Sequence, residues 1–277
     1  MDAGGEEAAL FKAFEAEGWT RKAKTYDRLT GRATARLVVP LLEAAGVQSG
    51  TRVLDVACGP GHIAAEAAAM GAVPVGLDLA EGMVGLARAR YAEIEFQQGD
   101  AERLRFADAS FDAVVAGFVV NHLPRPERAL AEFVRVVAPG GRVAVTVWDR
   151  PGQMRLLGVL SEAVERTEGL LDPGLPSGGP DPFRFADDSA LAALLSGAGL
   201  AEAEVRCIAF EQEVADTDEL WEGMLAGSVR TAAMIERQPE PVRRRIRAAL
   251  EQAVAPYRSE TAIALPVTAK LASGRRP

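Results

Sequence analysis

The chain has 277 residues, a net charge of −8, and only two histidines and two cysteines. That scarcity excludes a disulfide framework and the usual zinc spacings. The acidity argues against a general nucleic-acid binder, and no apolar run approaches a membrane span. With 48% of residues apolar and 25% charged, the composition is that of a folded protein.

The opening residues are acidic and lack the basic start and apolar stretch of a leader, so a cytoplasmic location is expected. Helical spacing runs over 6–47, through Leu10, Phe11, Phe14, Trp19, Tyr26 and Leu29, with Gly46 as a C-cap. From Thr51 the rhythm changes. TRVLDV reads as a buried strand entering a glycine turn, and HIAAEAAAMG as the helix after it. AVPVGLDLA, IEFQQGDA, FDAVVAGFVV and RVAVTVWD read as further strands. EGMVGLARARYA and PERALAEFVRVV read as helices, the latter closed by a Pro-Gly-Gly turn at 139–141. Strands alternating with helices of about three turns indicate an α/β, doubly wound, mostly parallel sheet.

Beyond residue 150 the pattern loosens. QMRLLGVLSEAVERT is helical, 170–188 is a proline- and glycine-rich loop, SALAALLSGAG is a short helix, and AEVRCIAFEQEV has strand composition. Residues 217–256 return to helix with breaks at Pro239 and Pro241, and IALPVTAKLASGR closes the chain as a strand. This suggests an N-terminal helical lid (1–47), a Rossmann-like core (48–150), and the rest of the sheet (151–277) with a helical cap at about 217–256.

The strongest chemical signal is Asp55-Val-Ala57-Cys58-Gly59-Pro60-Gly61 between a strand and a helix. Gly59 and Gly61 allow a tight turn and close approach of a ligand. Gly59 to Ala64 also fits a dinucleotide fingerprint, with Asp78 at about the ribose-binding distance, which keeps a nicotinamide-dependent oxidoreductase open. Against a pyrophosphate stand the charge of Asp55 and the missing N–H of Pro60. Acids recur at three successive strand ends, Asp55, Asp78 and Asp100. They suit a cationic nucleoside, with partners for an ammonium group, the ribose hydroxyls and an exocyclic amine.

VLDVACGPGH, VGLDLAEGM, QGDAERLRF, FDAVVAGFVVNHL and LAEFVRVVAPGGRVAVTVWD, in that order, resemble the motifs of class I S-adenosylmethionine-dependent methyltransferases. The resemblance is in particular to the small-molecule group similar to the ubiquinone/menaquinone biosynthesis enzymes. The resemblance implies the seven-stranded sheet of that family, and S-adenosyl-L-methionine as cofactor with S-adenosyl-L-homocysteine as product. It implies that Asp55, Gly59 and Gly61 surround the methionine moiety, that Ala57 contacts the cofactor, and that Asp78 holds the ribose. Leu79 and Met83 would pack on adenosine, Asp100 and Ala101 would border adenine, Phe118 would lie beside the sulfonium, and Tyr26 would close the lid. A methyltransferase fold that binds the cofactor without methyl transfer stays open as a third reading.

Methyl transfer to oxygen, carbon or nitrogen is an in-line displacement for which the protein positions the acceptor and excludes water. His122, after the fourth strand, is the candidate base, and a base works best with a pKa near neutrality. Asn121 is the candidate for orienting the acceptor. The family often has a histidine at the Asn121 position. Trp221, Met224, Leu225, Met234 and Ile235 read either as acceptor lining or as helix core. The cluster Arg243, Arg244, Arg245 and Arg247 reads as a solvated face, with an anionic-substrate gate as the other reading. The expected partner is a small, apolar molecule, with no nucleic acid and no membrane span, in a monomer or homodimer.

Overall fold

A computed structural model describes residues 3–172, 174–177 and 179–277. Met1 and Asp2 of the acidic start, and Pro173 and Gly178 of the predicted loop, lie outside the described residues. In chain order the elements begin with α1 (Ala3–Lys22), a 3-10 turn at Tyr26–Arg28, α2 (Thr30–Ala35), α3 (Val38–Ala44), β1 (Arg52–Val56) and α4 (His62–Ala69). They continue with β2 (Val73–Asp78), α5 (Glu81–Arg90), β3 (Glu95–Gln98), β4 (Phe111–Gly117), α6 (Pro126–Val136) and β5 (Val137–Trp148). The last part holds α7 (Arg155–Glu165), α8 (Asp188–Gly197), β6 (Ala201–Val214), α9 (Thr217–Ala226), α10 (Arg230–Glu236), α11 (Glu240–Val254) and β7 (Ile263–Arg275).

The seven strands form one sheet in the order β3-β2-β1-β4-β5-β7-β6. Pairings among β1 to β5 are parallel, and β7 runs antiparallel to both β5 and β6. The period-2 alternation of a strand sorts its apolar side chains onto two faces. Leu54, Val114, Val143 and Val145 meet Leu130 and Phe133 of α6 and Leu191 of α8 on one face. Val53, Ala113, Val115 and Ala144 meet Val38, Leu41 and Leu42 of α3 on the other. The chain builds outward from β1 to β3 and then returns to β4, so the order reverses between β1 and β4. A crevice opens at the carboxyl edge of such a switch.

β5 pairs β7 only from Ala269 onward, whereas β6 stays paired to β7 back to Ile263. The β6–β7 ribbon therefore overhangs the carboxyl end of β5, and α9, α10 and α11 join its two strands. Leu220, Met224, Ile235, Ile246 and Leu250 of these helices share one core with Leu156, Val159 and Leu160 of α7 and with Leu29 and Leu37 of the lead-in. Cap and lead-in are thus packed together over the crevice. A Cβ on Gly223 would lie 2.7 Å from the Leu29 Cβ, so the missing side chain sets how closely α9 approaches the lead-in.

The structure differs from the sequence reading at three places. The fourth strand stops at Gly117, because Phe118 takes a left-handed φ of +56° and turns the chain toward the crevice. The Pro-Gly-Gly run is a bulge inside β5: Phe111 pairs Val137 while Ala113 pairs Arg142, and the surplus residues loop out around Gly140 at φ +82°. The cap breaks at Gly227 as well as near Pro239.

Candidate active site

The carboxyl ends of β1, β2 and β4 meet α1, α10 and the loop after α7 around a cleft of about 410 Å³. Tyr26, Ala57, Gly59, Asp78, Leu79, Met83, Asp100, Ala101, Phe118 and His122 all line it. A smaller recess of about 50 Å³, bounded by Tyr26, Ala57, Gly59, His62 and Phe118, adjoins it. Asp55, Gly61 and Asn121 stand outside the lining of the main cleft.

The glycine turn is built by backbone conformations that few residues tolerate. Ala57 at φ +57° and Gly59 at +53° turn the chain out of β1, and Gly61 at +92° starts α4. A Cβ on Gly59 would meet nothing within 4 Å, so it would project into open space, whereas one on Gly61 would lie 2.9 Å from the Phe96 ring. Packing against Phe96 therefore requires glycine at 61, and the left-handed φ favours it at 59. Positive φ at non-glycine residues stores strain, and both Ala57 and Phe118 carry it at the cleft wall.

Two acids pin this turn. Asp78 accepts from the Gly59 N–H and from the Ala80 N–H, each at 2.8 Å, and so ties the ends of β1 and β2 together. Burial raises its pKa, and the hydrogen bonds from Ala80 and Gly59 oppose that shift. Asp55 is fully buried, and its Oδ2 accepts from the Ala64 N–H at 3.1 Å. Its Oδ1 has no partner among the described residues. Burial, with a smaller contribution from nearby Asp78, pushes the Asp55 carboxyl up to about 8.

Asp100 lies opposite, and Lys12 of α1 reaches it at 2.8 Å and Glu102 at 2.7 Å. Arg125 holds the buried Glu102 from the other side at 2.9 Å. The lead-in is fixed at its far end by Asp27, which pairs His62 at 2.8 Å and Arg90 at 2.7 Å. Tyr26 bonds Thr34 at 3.1 Å and meets Trp19 edge-on with ring centroids 6.0 Å apart; burial raises its pKa to about 12. Phe118 stacks on Trp148 at 3.8 Å.

His122 lies in the cleft wall, where burial, helped by Arg230 and Arg184, lowers its pKa to about 4. The ring is neutral at physiological pH, a hydrogen-bonding group and a weak base rather than one tuned to neutrality. The Asn121 amide donates to the Pro182 carbonyl at 3.0 Å, so it anchors the loop that borders the cleft. Met224 and Met234 line the cleft, while Ile235 is core. Arg243, Arg245 and Arg247 engage Glu240, the Glu168 carbonyl and Asp218, and do not line the cleft. Sequence reasoning missed Lys12, Glu15 and Arg230, all in the cleft wall. The signal that exposes Glu15 is its place in a buried stripe of α1.

Residues 54–145 match the methyltransferase domain family. A demethylmenaquinone methyltransferase from Renibacterium salmoninarum is 40% identical over 127 residues, which cover 46% of this chain and 54% of that protein. The chain thus spans about half the length of the curated relatives it matches. Among solved structures, the YcgJ protein of Bacillus subtilis superposes with a TM-score of 0.56 at 20% identity, covering 87% of this chain and 98% of that one. A phosphoethanolamine N-methyltransferase of Haemonchus contortus, solved with phosphomonomethylethanolamine and S-adenosylhomocysteine, gives 0.53 at 17% identity, covering 87% and 53%. These two likenesses speak for the fold alone.

Proposed function

We propose that this chain, whose segment 54–145 belongs to the methyltransferase domain family, transfers a methyl group from S-adenosylmethionine to a small acceptor with a largely apolar body. The observation that carries the reading is the Asp55 carboxyl, buried beside the glycine turn with one oxygen unpartnered among the described residues. A buried carboxylate without a partner is costly, and a cationic ligand or a water held by it removes that cost. The open space over Gly59 fits a ligand at the same turn. The residues present therefore suit a cationic nucleoside better than a pyrophosphate, to which Pro60 denies a backbone donor.

In this reading Asp55, Ala57, Gly59 and Gly61 surround the methionine end, Asp78 receives the ribose hydroxyls, and Leu79 and Met83 pack on adenosine. Asp100 and Ala101 border adenine, Phe118 lies near the reacting methyl, and Tyr26 closes the amino-acid end. When bound, the group supplies a methyl already activated on sulfur. The chain's own residues orient the acceptor and exclude water, and α1, α9 and α10 roof the cleft. His122 offers a neutral hydrogen-bonding edge to the acceptor, and Asn121 acts through the loop it anchors. The two unpaired cysteines, Cys58 buried and Cys207 exposed, suit a reducing cytoplasm.

Calorimetry is the test. S-Adenosylhomocysteine is expected to bind in the micromolar range and NAD to give no heat. NAD binding without S-adenosylhomocysteine binding would overturn the reading in favour of an oxidoreductase.

A further inference from the structure

Helix α1 buries a stripe at Ala8, Phe11, Glu15 and Gly18, spaced by three and four residues. A carboxyl group has no packing reason to stand in such a stripe. Glu15 is only 7% exposed and lines the cleft. Its Oε2 accepts from the Trp19 indole N–H at 2.9 Å, while Oε1 has no partner among the described residues. The flanks of the helix show which way it looks. Lys12 and Trp19 turn toward the acids and Met83 of the nucleoside side. Phe11 and Gly18 turn toward the cap, where a Cβ on Gly18 would lie 2.3 Å from Val229 Cγ1. Glu15 stands between the two flanks and faces inward.

The groups it faces narrow the chemistry. Arg230, in the same wall, lies over the Phe11 ring at 5.5 Å, donates to the Pro180 carbonyl and attracts the Glu15 carboxylate. His122, kept neutral by burial and further by Arg230 and Arg184, shares that wall. The remaining surroundings include Leu157, Phe183, Met224 and Met234. We infer that Glu15 is a specificity residue for the methyl acceptor, with its Oε1 receiving the proton of a hydroxyl carried on an otherwise apolar molecule. A ligand ammonium would bring a cation beside Arg230, in a cleft wall that also holds Lys12. A hydroxyl donates to the open oxygen and brings no charge. Burial pushes the Glu15 carboxyl up to about 7, against the Trp19 hydrogen bond and the charge of Arg230, and the ionised form is the one that leaves Oε1 an acceptor.

The inference rests on the methyltransferase reading. Its test uses E15Q, which keeps the shape but not the chemistry. The Trp19 N–H claims the amide oxygen, so the amide nitrogen, a donor, replaces the open acceptor. The full chain is titrated with 4-phenylphenol, with 4-methoxybiphenyl (the same body without the donated proton), and separately with S-adenosylhomocysteine. Wild type is expected to prefer the phenol by about tenfold or more. E15Q should lose that preference and keep its S-adenosylhomocysteine affinity within about twofold. No saturable phenol binding by wild type, equal affinity for the two probes, or a preference retained in E15Q overturns the inference. A parallel loss of S-adenosylhomocysteine binding in E15Q also overturns it, because Glu15 then serves the nucleoside half. Failure of the wild type to bind S-adenosylhomocysteine overturns instead the methyltransferase reading on which the acceptor assignment rests.

Discussion

Asp78 serves two ends at once. Its two oxygens hold the Gly59 and Ala80 N–H groups, so the carboxylate proposed for the ribose also fixes the turn that shapes the cleft. Replacing it removes the ligand contact and leaves two backbone donors without their acceptor. D78A is therefore expected to weaken S-adenosylhomocysteine binding by more than about tenfold in calorimetry. The same change should lower stability by on the order of 2 kcal/mol in urea unfolding. Unchanged affinity would remove Asp78 from the site. Asp55 differs in kind: one oxygen caps α4 through Ala64, and the other has no partner among the described residues.

At the scale of elements, α1 decides how the cleft is roofed. Lys12 joins it to Asp100 and Glu102 across the mouth, and Lys22 reaches the Leu225 carbonyl of α9 at 2.7 Å. Gly82 lets the start of α5 approach, since a Cβ there would lie 2.6 Å from the Thr20 carbonyl oxygen. Of these ties the Lys12 pair is the one that spans the cleft. K12M leaves Glu102 its arginine partner but removes the cation from Asp100. Amide exchange over residues 5–18 is expected to quicken by about threefold to tenfold, as the pair contributes on the order of 1 kcal/mol. Exchange in β1 and β4 should stay unchanged. Unaltered exchange in α1 would show that apolar packing alone holds the lid.

For the whole molecule, buried acids make stability depend on pH. In the unfolded chain Asp55 and Glu15 ionise near their ordinary 3.8 and 4.5, but the fold holds their protons to about 8 and about 7. The folded state binds more protons in that interval, so their contribution is complete at low pH and is lost as pH rises through the folded values. His122, lowered from 6.5 to about 4, acts in the opposite sense below its ordinary value. The ligand-free protein is therefore expected to lose thermal stability most steeply between about pH 6.5 and 8. D55N should flatten that slope. A melting temperature that rises over this interval, or an unchanged slope in D55N, would contradict the burial argument.

The sequence by itself determined the α/β core, because the strand and helix periods, the glycine turn and the three strand-end acids are all local signals. It also placed the last strand at its observed limits, 263–275. What it left open depends on contacts between distant segments. The end of β4 is set by the turn at Phe118, whose N–H bonds the Thr146 carbonyl at 3.0 Å. The pull on the basicity of His122 comes from burial and from arginines 62 and 108 residues further along the chain. Glu15 read in sequence as one more charge on an acidic helix, and it gained a role only when the cap and core closed on both sides of α1. Local patterning fixes which elements form; burial and long-range charge, which exist only after the elements pack, decide what each side chain in the cleft can do.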